Sequence, residues 1–212
     1  MIQIKKRLKT YEGHIFESND LDQRGIASLI ENYIQGAFAN DEVFEYTEPE
    51  SVRSIDDFTL EKDGHTYLMD VKTHDQDRKF SMPNLISVER LYKLYDSNPD
   101  TSFCLIIAKY REYGNCQKII DNVIVLPIEK ISWESLSVQN LGNGQIQITN
   151  LNKPILKFKG TRQQWMAEFT LRTVKFNERL KEKLEQRTKK WAIRSCEKLM
   201  ECTTNTGPVY NC

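Results

Sequence analysis

The dipeptide Asp63-Gly64 constrains this chain more tightly than any other feature. A two-residue hairpin loop of type I′ needs positive φ at both central positions, which Gly and Asp tolerate and β-branched residues do not. The flanks alternate as strands do, with Phe58 and Leu60 set against Asp57 and Thr59 on the way in. On the way out, Tyr67, Met69 and Val71 are set against Leu68, Asp70 and Lys72. Counting outward from the loop pairs Lys62 with His65, Leu60 with Tyr67 and Asp57 with Asp70.

That register sets two carboxylates opposite each other, with Cβ atoms roughly 5 Å apart. At an effective dielectric near 20, such a pair repels by about 3 kcal/mol. A shared proton or a bound cation relieves the repulsion, and acidic oxygens with the Val71 carbonyl between them suit a hard ion such as Mg2+. Lys72 lies two residues beyond Asp70 and so on the same side of the strand. Its ammonium can orient or help deprotonate a water and balance charge developing on a phosphate. A solvated polar strand face accounts for the same residues equally well. The register selects Asp57 over Asp56, and a slip of one residue reverses the choice.

Residues 21–39 read as a long helix. Ile26, Leu29, Ile30, Tyr33, Ile34, Ala37 and Phe38 form its core-facing stripe, and Asp20 or Asp22 is the cap. Glu31 flanks that stripe, where a plain surface glutamate is the simpler reading. Residues 40–54 read as an irregular acidic segment. The polar run after Lys72, residues 73–81, reads as a loop, with His74 facing solvent. Pro83 suits the first turn of a helix carrying Leu85, Ile86, Leu91, Tyr92 and Tyr95. The continuous apolar run 103–108 suits a sheet centre covered on both faces, and Val123 to Leu126 is a second strand. Residues 109–117 between them read as a turn around Gly114-Asn115. Residues 136–149 read as a hairpin around Gly142-Asn143-Gly144. Thr161 and Gln164 then make a capping box for a helix running to about residue 200, either continuous or broken near Thr188.

The 212 residues suffice for one domain, expected over 1–202, with the hairpin at 55–72, the helical part at 161–200 and a loose tail at 203–212. No run of 18 apolar residues occurs, and the basic start has no apolar region after it, so neither a membrane span nor secretion is expected. The five cysteines (104, 116, 196, 202 and 212) include no Cys-x-x-Cys pair, which argues against a zinc site or a disulfide framework and for a reducing cytoplasm. Net charge is zero but segregated: residues 11–70 carry 15 acidic and 3 basic side chains, residues 151–200 carry 14 basic and 5 acidic ones. That distribution is compatible with a metal-dependent enzyme acting on a polyanion, and also with ordinary solvated helix faces.

Asp57 with Asp70-Val71-Lys72 resembles the motif of the PD-(D/E)xK nucleases, with Asp56 where that motif has proline. Three blocks extend the likeness: Asp70 to Thr73 followed by Pro83 to Ser87, Gln145 to Ile148, and Gly160 to Trp165 with the basic helix after it. In this order the chain resembles type II restriction endonucleases of the EcoRV and HincII kind, the HincII kind in particular. The resemblance covers about 70 residues, and the N-terminal third matches only loosely.

It implies an α/β restriction-endonuclease-like fold, a mixed central sheet flanked by helices with a long C-terminal helical segment. It further implies a homodimer on double-stranded DNA that hydrolyses one phosphodiester per strand at a short palindromic site with Mg2+, in the company of a cognate methyltransferase. Asp57, Asp70 and the Val71 carbonyl would hold the metal, and Lys72 would be the catalytic lysine. Asn84 would reach base edges, and the loop carrying Thr73, Lys79, Ser81 and Met82 would follow a groove. In nucleases of this type a helical acid sometimes joins the site, which makes Glu31 a possible additional ligand. A structure-selective or repair nuclease, and a catalytically silent DNA-binding or interaction module, are the alternatives.

Overall fold

A computed structural model describes residues 1–204 except 19–20, 50, 52–53, 79–81 and 140–143. The elements run α1 (Ile2–Leu8), β1 (Ile15–Glu17), α2 (Gln23–Gly36), β2 (Glu45–Thr47), β3 (Phe58–Lys62), β4 (His65–Asp75), β5 (Asn84–Ser87), α3 (Val88–Ser97), β6 (Thr101–Glu112), β7 (Gln117–Pro127), β8 (Leu136–Gln139), β9 (Gln145–Ile148) and α4 (Arg162–Thr204). Six strands form one mixed sheet in the order β1-β7-β6-β4-β3-β2, in which β4 and β6 are parallel and the other pairs antiparallel. A second sheet has the order β5-β9-β8.

Strand β6 shows why its sequence is apolar without a break. Cys104, Ile106 and Ala108 enter one cluster with Ile4, Leu8, Ile30 and Ile34 of the N-terminal helices. Phe103, Leu105 and Ile107 enter another with Leu91, Ile146, Ile148 and Trp165. Each face of a central strand needs its own apolar set, so alternation disappears where both faces are covered. Helix α2 begins as expected, with the Asp22 side chain accepting from Gly25 N–H at 2.8 Å. Ile26, Ile30 and Ile34 form its buried stripe.

Four expectations change. The segment after Lys72 is still strand: Thr73, His74 and Asp75 continue β4, paired with Ala108, Lys109 and Tyr110. Parallel pairing with β6 satisfies their backbone groups and outweighs the polar composition. Pro83 precedes a strand and not a helix, because Asn84–Ser87 pairs with β9, and Ser87 then caps α3 by accepting from Arg90 N–H. The acidic stretch at 40–54 contains the edge strand β2, paired with β3. Strands β6 and β7 extend to Glu112 and from Gln117, which shortens the turn around Gly114.

The capping box is reciprocal: Thr161 N–H donates to Gln164 Oε1 at 2.9 Å and Gln164 N–H to Thr161 Oγ1 at 3.2 Å. By contacts the chain divides into two units, Met1–Phe169 and Thr170–Cys212. In the first, the ring of Trp165 stacks on Trp133 and Phe169. In the second, the helix passes Thr188 without a break, and the hydroxyls of Thr188 and Ser195 bond the carbonyls of Leu184 and Trp191. The hairpin loop at 142–143, the alternative cap Asp20 and the tail from 205 onward lie outside the described residues.

Candidate active site

As far as Phe58 and Met69 the hairpin has the register read from its turn, and the expected Asp57–Asp70 pair lies beyond the ladder. Asp63 and Gly64 take φ of 52° and 74°, and the ladder pairs Lys62 with His65, Leu60 with Tyr67 and Phe58 with Met69. Beyond that last pair, Asp57 closes the ladder with two bonds: its N–H donates to Met69 O at 2.8 Å, and its Oδ2 accepts from Val71 N–H at 2.6 Å. Asp56 is directed elsewhere, its Oδ2 accepting from the Thr59 hydroxyl at 2.9 Å.

On β4, Lys72 Nζ lies 2.6 Å from Asp70 Oδ1 and 3.4 Å from the Val71 carbonyl. Asp70 is 5% exposed, and its Oδ2 has no hydrogen-bond partner. Burial pushes the Asp70 carboxyl up to about 7; Lys72 opposes this, and Asp57 and Glu31 add to it. The ion pair with Lys72 therefore coexists with a carboxyl that burial keeps raised, because desolvation outweighs the attraction of one partly exposed ammonium.

Helix α2 supplies what the hairpin alone could not predict. Gln35 Nε2 donates both to Asp57 O at 3.1 Å and to Glu31 Oε1 at 3.2 Å, which ties the helix to the start of β3. Burial first, and Asp57 second, hold the Glu31 carboxyl above its usual range. Glu31 is half-buried and electrostatically coupled to Asp57, Asp70 and Lys72. Its i,i+4 spacing to Gln35 was visible in the sequence, but the long-range bond to Asp57 was not.

The donor set fits a divalent cation. Asp57 holds the Val71 N–H, Asp70 precedes Val71 in the strand, one Asp70 oxygen is buried without a partner, and burial disfavours the negative charge that a dication would stabilise. Among the described residues no group of three or more His, Cys, Asp or Glu side chains is placed to hold a metal ion. Magnesium characteristically binds through one or two carboxylates and keeps several waters, so a closed cage is not required.

The expected recognition residues are spread more widely. Asn84 is exposed at the head of β5, opposite Gln147 of β9, and Gln147 Nε2 donates to Asn84 Oδ1. Thr73 is half-buried within β4 and, by strand alternation, on the side opposite Lys72. Met82 is half-buried just before β5. Lys79 and Ser81 lie outside the described residues. His74, expected to face solvent, is instead 1% exposed, with Nε2 2.7 Å from Asn152 Oδ1.

No family model and no curated protein matches the chain. Among solved structures it resembles the NlaIV restriction endonuclease, with a TM-score of 0.53 and 15% identity over 75% of this chain and 74% of that one. The fold is restriction-endonuclease-like. At that identity the likeness extends to the architecture and not to the HincII kind in particular. Within this restriction-endonuclease-like fold, the Asp57, Asp70 and Lys72 cluster stands at the open end of the β3–β4 ladder, away from the turn, beside α2. Among the described residues, no helix is long and apolar enough to cross a membrane.

Proposed function

We propose that the chain is a magnesium-dependent type II endodeoxyribonuclease that cuts double-stranded DNA at a short palindromic site. One observation carries the reading: a buried Asp70 with a partnerless oxygen, held beside Asp57 and Lys72 at a hairpin end, in a restriction-endonuclease-like fold. Asp57, Asp70 and the Val71 carbonyl would hold the ion, with Glu31 near enough to contribute charge. When bound, magnesium supplies Lewis-acid charge beside the scissile phosphate.

The chain's own groups do the remaining work. Asp57 locks the ladder end through Val71 N–H, fixing where the Val71 carbonyl and Asp70 point. Lys72 Nζ, held by Asp70, can donate to a phosphate oxygen or orient the attacking water. Asn84 and Met82, together with Thr73, Lys79 and Ser81, are the proposed DNA contacts. Asn84 is the one suited to base edges, since its amide offers both a donor and an acceptor. A homodimer places one site on each strand of a palindrome. A cytoplasmic enzyme of this kind works alongside a methyltransferase that protects the same sequence.

The test is digestion of long DNA with magnesium. Discrete bands support site-specific cleavage. A smear or selective cutting of junctions supports a structure-selective nuclease, and uncut DNA that still shifts on a gel supports a silent DNA-binding module.

A further inference from the structure

A buried histidine near the candidate site is one that the cleavage reading leaves idle. His74 stands on β4 two residues beyond Lys72, so Asp70, Lys72 and His74 occupy alternate positions along one side of the strand. Its ring is 1% exposed and meets the side chain of Asn152, in the turn that follows β9. Asn152 Nδ2 donates to the carbonyl of Arg78, at 3.1 Å, in the segment that leaves β4. That bond orients the amide, so Oδ1 faces the imidazole and His74 Nε2 must carry the hydrogen. His74 Nδ1 is then the bare nitrogen, buried with no partner. The neighbouring strand repeats the arrangement: Lys109, opposite His74 in register, donates to Leu151 O at 2.5 Å.

We propose that His74 is a positioning residue that, through Asn152, clamps the turn after β9 and the backbone at Arg78 to the strand bearing Asp70 and Lys72. The clamp joins the parts that would read DNA to the part that would cut it. Strand β9 carries Gln147, which holds Asn84, and ends immediately before the turn; Arg78 lies on the way from β4 to β5. Displacement of a reacting group by about 1 Å lowers rates by about 10²-fold, so a loosened clamp acts on the chemical step more than on affinity.

The role in cleavage rests on the nuclease reading above, whereas the clamp itself does not, and the experiment separates the two. His74→Leu removes the bond and keeps the bulk, His74→Gln restores an N–H donor, and Asn152→Asp keeps the acceptor for His74 but loses the donor to Arg78. Each full-length variant is examined by amide hydrogen exchange without DNA. Single-turnover cleavage of a cut duplex is followed in magnesium, and affinity is measured in calcium.

Faster exchange at residues 76–78 and 149–153 is expected in His74→Leu and Asn152→Asp. A fall of about tenfold or more in single-turnover rate should accompany it, with affinity within twofold, and His74→Gln should return within about threefold of the parent. Wild-type exchange and rate in His74→Leu would overturn the clamp. So would His74→Gln as slow as His74→Leu, which would make the effect one of packing. Should His74→Leu fail to fold, Asn152→Asp, at an exposed position, decides in its place. If the parent cuts no DNA, the nuclease reading falls, and exchange alone supports or overturns the clamp.

Discussion

Replacing Asp70 by Asn should stabilise the metal-free protein at alkaline pH and not at acid pH. Burial raises the Asp70 carboxyl from its ordinary value of 3.8 to about 7. Between those values the native state keeps a proton that the unfolded chain has released, so stability falls as pH rises through that window and is level above it. Each unit is worth about 1.4 kcal/mol, which sets a ceiling of about 4 kcal/mol on the penalty carried at pH 8. Asn is neutral throughout and can still accept from Lys72 through its carbonyl oxygen. Its amide N–H₂, placed where Oδ2 lacks a partner, would cost about 1–3 kcal/mol at every pH.

The decisive quantity is therefore the difference between variant and parent, followed from pH 4.5 to pH 8. Urea unfolding in EDTA should show that difference growing in the variant's favour by about 3 kcal/mol, since part of the penalty is already present at pH 4.5. Magnesium should then stabilise the parent at pH 8 and leave Asp70→Asn unmoved. A difference that stays constant across the range would refute the argument, because it would mean that Asp70 is ionised in the native state throughout.

Asp57→Ala, Asp70→Ala and Lys72→Ala should each lower cleavage by about 10²–10⁴-fold or more in a magnesium digest, while Asp56→Ala, whose carboxylate serves the Thr59 hydroxyl, stays active; a dead Asp56→Ala beside an active Asp57→Ala would reverse the assignment. Light scattering should find a homodimer, and a monomer both alone and with cognate DNA in calcium would count against paired sites on a palindrome. Asn84→Ala should reduce discrimination between cognate and scrambled duplexes by about 1–3 kcal/mol, and an equal loss on both would make Asn84 a non-specific contact. Removing single Lys or Arg residues from the C-terminal helix should instead weaken all duplexes alike and reduce the salt slope by about one unit each, as read from binding at several salt concentrations.

How much of this was legible beforehand depends on how far apart in the chain the interacting residues lie. Asp63-Gly64 settles the hairpin register from Lys62–His65 to Phe58–Met69, because positive φ at two adjacent positions is a local requirement. The Asp22 cap, the Thr161 and Gln164 box and the doubly apolar run of β6 were readable for the same reason: their partners are near neighbours or are implied by a periodicity. Strand β5 looks like helix in the sequence because its identity comes from β9, some 60 residues later, and a proline before either element looks the same. The polar end of β4 became strand only through its pairing with β6, and that pairing buried His74 against Asn152, 78 positions away. Gln35 reaches the Asp57 carbonyl across 22 residues, with only its spacing to Glu31 to announce it. Backbone groups must find partners wherever the fold brings them, and that demand overrode local composition at these elements.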